Sequence, residues 1–233
     1  MLYWLMKFVL VGPLLRLLYR PTVVGLEHVP PKGPAIIAVN HNTFFDSVFV
    51  PLVVRQKITY LAKDEYFYTP GIKGWFMALV FRALGQVPID RSGGNASEAA
   101  LATGTKVLGE GNLLGIYPEG TRSPDGKLYR GHTGVARMAL MTGVPVIPVG
   151  IKGLRELQPA GKLVPRLGRM TIEFGPRLDF SRYEGMGGDR FVLRSVTDEI
   201  MYEIMELSGQ EYCDMYAGKA RRQLADRVAA DSG

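Results

Sequence analysis

The sequence predicts an α/β fold, a single domain whose largely parallel, mixed sheet is flanked by helices, with an apolar helix at the N-terminus. Two observations carry this. Short apolar runs rich in β-branched residues alternate with longer segments of helical period through most of the chain, as in a sheet covered on both faces. The 233 residues, 47% of them hydrophobic, suffice to bury one core and are too apolar for disorder. With one cysteine, Cys213, there is no intramolecular disulfide, and three dispersed histidines give no zinc-ligand pattern, so neither staple is expected to hold the fold.

Taken in order, MLYWLMKFVLVGPLLRLLYRP opens the chain as its most lipophilic stretch. Lys7, Gly12-Pro13 and Arg16 interrupt it, so a helix ending near Pro13 falls short of the ~20 apolar residues needed to span a bilayer. No small-residue cleavage site follows. Tyr3, Trp4 and Tyr19 suit the boundary between headgroups and acyl chains, so 1–20 is expected to be an interfacial segment on one leaflet, the alternative being an apolar helix packed on the domain.

The domain proper is expected over 21–210. TVVGLEHVP (22–30) reads as a strand entering a turn, and PAIIAVN (34–40) as a buried strand. TFFDSVFVPLVV can begin a helix that Pro51 limits or kinks. Strands follow at 58–63, 86–90, 113–118, 144–153 and 170–176. Between them lie an aromatic-rich loop and helix (66–84), a helix at 95–111 capped by Asn95 or Ser97, and a helix at 131–143. Val192, Val196, Ile200, Ile204 and Leu207 mark an amphipathic helix within 189–207. Residues 211–233 read as a helical, polar tail that frays.

Asn40-His41 ends an apolar run, and Asp46 stands five residues past the histidine. On a helix that spacing leaves the two roughly 140° apart, and on a strand it puts them on opposite faces. They meet only if the strand stops at His41 and Asp46 opens a helix, with Asn40, Asn42 and Thr43 making the turn. An imidazole held by a carboxylate is a general-base arrangement. Taken alone, the motif fits better with Asp46 as a helix-start residue and His41 as a satisfied junction residue. Elsewhere Lys63, Arg91, and Glu119 through Arg122 stand at or beyond strand ends. Singly each charge reads as a solvated surface group; together on one edge they look like a phosphate site. The net charge of +6 favours an anionic partner, yet the basic residues are scattered and no nucleic-acid signature exists. GEGNLLG (109–115) does not match a dinucleotide fingerprint.

In order, NHNTFFD (40–46), GQVPIDR (85–91), YPEGTRS (117–123) and VPVIPV (144–149) resemble the four motifs of the glycerolipid acyltransferase family that includes 1-acylglycerol-3-phosphate acyltransferases. The resemblance runs from about 22 to 180, with Thr43, Pro88 and Tyr117 departing from the usual residues. It implies His41 as general base and Asp46 as its orienting partner. Arg91 and Glu119, Gly120, Thr121 and Arg122 would bind the acceptor phosphate and shape the site, with Lys63 a further phosphate candidate. The implied reaction moves a fatty acyl group from acyl-CoA or acyl carrier protein to the free hydroxyl of lysophosphatidic acid or another lysophospholipid. It uses no cofactor and no metal. The expected partners are the thioester donor, the lysophospholipid acceptor and a membrane surface, at the cytoplasmic face of the cell membrane. Other acceptors, or a non-catalytic lipid-binding module, stay open. Backbone N–H groups of the 40–46 turn are candidate oxyanion donors, none of which the sequence singles out, and VPVIPV is expected to pack in the core. With no G-x-S-x-G elbow and Cys213 outside every motif, no acyl-enzyme is expected.

Overall fold

The computed structural model describes residues 2–89, 96–159 and 165–231. Nine strands are described: β1 (Thr22–Val24), β2 (Ala35–Val39), β3 (Ile58–Lys63), β4 (Gln86–Ile89), β5 (Leu113–Ile116), β6 (Leu128–Tyr129), β7 (Val146–Lys152), β8 (Thr171–Phe174) and β9 (Tyr212–Cys213). Seven form one sheet in the order β1-β8-β7-β2-β5-β3-β4, and β6 pairs with β9 apart from it. The five strands β7-β2-β5-β3-β4 are mutually parallel; β8 runs antiparallel to β7, and β1 parallel to β8. The C-terminal ends of β2, β3, β4, β5 and β7 therefore share one edge, where ligands bind in open α/β sheets.

The helices are α1 (Leu2–Leu5), α2 (Val11–Tyr19), α3 (Asp46–Val53), α4 (Glu65–Tyr68), α5 (Gly71–Ala83), α6 (Ala96–Gly109), α7 (Gly134–Thr142), α8 (Leu154–Leu157), α9 (Arg190–Ser208) and α10 (Ala217–Asp231). Both faces of the sheet are covered, and β2 shows why its sequence lacks alternation. Ala35, Ile37 and Val39 pack with Phe49 and Ile147 on one side, while Ile36 and Ala38 pack with Val135, Val196 and Ile200 on the other. Gly150 in β7 lets the end of α9 approach, because a Cβ there would lie 2.4 Å from the carbonyl carbon of Leu207.

Three expectations change. The N-terminal helix does not end near Pro13. A π-helical turn, Met6–Leu10, joins α1 to α2, and the Val11 N–H bonds the Met6 carbonyl. This widened turn comes just ahead of Pro13, whose ring in a regular helix presses on the carbonyl four residues back. Nor does Lys7 break an apolar surface. Lys7 is 5% exposed, and its ammonium donates to the carbonyls of Val54, Arg55 and Gln56, where α3 ends. Arg16 donates to the Leu52 carbonyl. Cations there meet the negative end of the α3 dipole. Burial, with Arg16 nearby, lowers the Lys7 pKa to about 8. Trp4, Leu5, Phe8, Val9, Leu14, Leu17 and Leu18 are left facing outward. Among the described residues, no helix is long and apolar enough to cross a membrane.

The tail is the third change. Residues 212–213 pair with 128–129, and α10 buries Ala217 and Ala220 against Tyr129. The segment after α9 thus docks beside the loop that follows β5.

Candidate active site

β2 stops at Val39 and α3 starts at Asp46, so the six residues between them form the turn that the His41/Asp46 spacing requires. His41 Nδ1 lies 3.0 Å from Asp46 Oδ2. The same oxygen accepts from the N–H groups of Asn42 (2.7 Å) and Thr43 (2.8 Å), and Oδ1 accepts from the Thr43 hydroxyl (3.1 Å). Asp46 is fully buried, and four donors converge on it, as a carboxylate in that position needs. With Nδ1–H donating to Asp46, the lone pair lies on Nε2, and no described residue hydrogen-bonds that nitrogen. The histidine side chain is 17% exposed, so the turn leaves an edge of the ring accessible.

The ring is held from below as well. Tyr117, at the end of β5, stacks on His41 with centroids 3.8 Å apart and planes 13° apart. Its hydroxyl shares a 2.7 Å hydrogen bond with Ser47 in the first turn of α3. Burial, reinforced by Tyr60 and Asp46, pushes the Tyr117 phenol well above its ordinary range, so the platform under the imidazole is neutral.

Glu119 is turned inward. Its Oε1 accepts from the His41 N–H at 2.9 Å and its Oε2 from the Tyr129 N–H at 3.0 Å. The Ser123 N–H returns a bond of 2.7 Å to the His41 carbonyl. At 1% exposure this carboxylate bridges backbone segments, and both oxygens are engaged without any ligand. Burial raises its pKa to about 7, opposed by the two amide donors and helped by Asp46 and Asp125. A carboxyl raised above its ordinary value of 4.5 contributes stability that is full below about 4.5 and lost as pH rises through about 7. Urea midpoints measured across that window should fall for the wild type and change less for Glu119→Gln. The variant should also be weaker throughout, by about 1–3 kcal/mol, because its amide turns a donor toward a backbone donor.

Of the other expected site residues, Arg91 lies outside the described residues, two positions past the end of β4. Lys63 ends β3 and is exposed. Gly120 turns with φ +72°, in a conformation that favours glycine, and a Cβ there would sit 3.0 Å from the His132 ring. Thr121 is half-buried, Arg122 is exposed, and Arg221 of α10 donates to the Arg122 carbonyl at 2.8 Å. His41, Lys63 and Arg122 thus stand at or beyond the ends of three strands that finish on one edge.

Four amides of the turn that was expected to supply the oxyanion donors are already engaged. In the 40–46 turn the amides of His41, Asn42, Thr43 and Phe45 already bond to Glu119, Asp46, Asp46 and the Thr43 hydroxyl. They build the turn and are not free for a substrate.

The cross-strand bonds of Asn40, and Gln210 altogether, escaped sequence reasoning. Asn40 closes the edge by accepting from the Ile151 N–H and donating to its carbonyl, at 2.8 and 3.1 Å. Gln210, just past α9, accepts from Asn40 at 2.7 Å and donates to Asn42 Oδ1 (3.1 Å) and the Gly126 carbonyl (2.6 Å). It ties both flanks of His41 to the loop after β5. Asn40's motif position was a signal; Gln210 lies in no motif and 170 residues away. Among the described residues, no group of three or more His, Cys, Asp and Glu side chains is placed to hold a metal ion.

Residues 20–152, more than half of the sequence, match the family described as Acyltransferase, and the chain belongs to that family. The 1-acyl-sn-glycerol-3-phosphate acyltransferase of Bacillus subtilis is 27% identical over 190 residues, covering 81% of this chain and 88% of the relative. The chloroplastic enzyme of that description from Brassica napus is 31% identical over 144 residues, which is 61% of this chain and 40% of the relative. The chain thus spans well under half the length of that plant relative. In structure it is similar to the 1-acyl-sn-glycerophosphate (LPA) acyltransferase of Thermotoga maritima, with TM-score 0.59, 26% identity and coverage of 80% of this chain and 72% of the other.

Proposed function

We propose that the protein transfers a fatty acyl group from an acyl thioester, carried by coenzyme A or acyl carrier protein, to the free hydroxyl of lysophosphatidic acid, giving phosphatidic acid. The observation that carries this reading is the 3.0 Å contact of His41 Nδ1 with buried Asp46, which leaves Nε2 unengaged on the edge where strands β2, β3 and β5 end. Nε2 takes the hydroxyl proton as the oxygen attacks the thioester carbonyl. The tetrahedral adduct collapses, the C–S bond breaks, and the imidazolium returns its proton to the leaving thiolate. One ester forms for each free thiol released. The imidazolium is stabilised by the Asp46 carboxylate and by the face of Tyr117.

Arg122 and Arg91 bind the acceptor phosphate in this reading, with Lys63, at the end of β3, a further candidate. The outward apolar face of the N-terminal helix rests on the cytoplasmic leaflet, where the acceptor resides. Mass spectrometry of products from a matrix of acyl donors and lysolipid acceptors tests the reading. Phosphatidic acid as the dominant product supports it; preferred acylation of a different lysolipid or of glycerol 3-phosphate reassigns the acceptor. For Arg122→Lys we expect acceptor KM to rise about tenfold or more, since an ammonium cannot reproduce a forked contact worth roughly 1.5–3 kcal/mol. Unchanged acceptor saturation would remove Arg122 from the phosphate site.

A further inference from the structure

A second apolar surface lies outside the N-terminal helix. α4 and α5 expose Tyr68, Ile72, Trp75, Phe76 and Met77, with Ile72 86% and Trp75 65% accessible. The inner side of α5 meanwhile buries Gly74, Ala78, Phe81 and Ala83. α1 packs against α5, so the two apolar elements are neighbours.

Three features of the patch fit a lipid surface. Tyr and Trp rings carry an apolar body and a polar edge, and they concentrate at the boundary of headgroups and acyl chains. α5, GIKGWFMALVFRA, holds Lys73 and Arg82, both exposed, and no carboxylate, which suits anionic headgroups; Asp64 and Glu65 lie at the start of α4. The patch is also joined to the candidate active site by aromatic contacts. Tyr66 stacks on Phe81 at 4.6 Å, Phe81 meets Phe44 at 5.9 Å, and Phe44 stands three residues from His41 in the catalytic turn.

We propose that α4 and α5 complete the bilayer-binding face, with Ile72, Trp75 and Phe76 entering the acyl boundary of an anionic leaflet beside the N-terminal helix. The proposal rests on the membrane-bound acyltransferase reading and gives it a route, because a lipid meets the site from the α4–α5 side. Leaflet contact through the N-terminal helix alone would leave five exposed apolar side chains in water next to the membrane.

The two tryptophans of the chain, Trp4 and Trp75, fall one on each element, so each can report for its own. Full-length W4F and W75F proteins are mixed with vesicles of phosphatidylcholine and phosphatidylglycerol, with and without brominated acyl chains. We expect the emission of both variants to shift to the blue and to be quenched by the bromines. Replacing Ile72 and Phe76 together by serine should weaken vesicle partition at least about tenfold with the circular dichroism spectrum unchanged. Trp4 quenched while Trp75 keeps its aqueous emission would overturn the proposal and leave the N-terminal contact standing. A blue shift of Trp75 without vesicles, accompanied by a dimer on gel filtration, would overturn it in favour of a second copy of the chain. Vesicle binding by neither variant would overturn it together with the membrane reading. Quenching of Trp75 in a protein that makes no ester would uphold the proposal and sink the acyltransferase reading.

Discussion

Replacing His41 by alanine is expected to lower turnover about 10²–10⁴-fold, the usual contribution of a positioned general base. The fold should survive. The turn is held by bonds that do not use the imidazole: Asn42 and Thr43 to Asp46, His41 N–H to Glu119, and Ser123 N–H to the carbonyl of residue 41. Alanine keeps the two backbone groups. Acceptor KM should change little, because the phosphate contacts are assigned to other residues. Steady-state rates with a chromogenic thiol readout, alongside urea unfolding, check this. Wild-type turnover in a folded variant would remove His41 from the chemistry.

Asp46→Asn is the more discriminating change. Three donors point at Oδ2, two of them backbone amides that cannot move away, so the asparagine carbonyl should occupy that place. Its amide then faces the Thr43 hydroxyl, which can turn to accept. His41 keeps a hydrogen-bond acceptor at Nδ1 and hence its tautomer. What disappears is the negative charge that stabilises the imidazolium. We therefore expect a turnover loss of about 10²–10³-fold, with a small change in unfolding midpoint. Near-normal turnover in a folded variant would reduce Asp46 to a residue that merely builds the turn.

The alternation of strands and helices was legible because period and β-branching are local, and the strands of the seven-stranded sheet fall within the expected segments, from Thr22–Val24 through Thr171–Phe174. The His41–Asp46 contact was legible for a sharper reason: an odd spacing of five excludes both a helix and a strand, which leaves only a junction. Contacts between distant segments were not legible. Glu119 stands beside Thr121 and Arg122 in the sequence, but its carboxylate points the other way, to the amides of His41 and Tyr129. No spacing within YPEGTRS reveals that direction. Lys7 looked like a break in an apolar run because its acceptors, the carbonyls just past the end of α3, lie 47 or more residues away. β6 and β9 have two residues each, too few to express a period, so the docking of the tail stayed hidden. The apolar face of α5 was read as part of an aromatic-rich helix; its sequence does not say which side meets the core.

Direct transfer of the acyl group, with His41 as base and no acyl-enzyme, is tested most directly by intact-protein mass. The protein is incubated with acyl thioester alone, quenched, and weighed, and lysophosphatidic acid is then added to a parallel sample. Direct transfer leaves the protein mass unchanged before acceptor is added, and afterwards gives one phosphatidic acid for each thiol released. A stoichiometric acyl adduct on the protein that forms with donor alone and passes to the acceptor would contradict it.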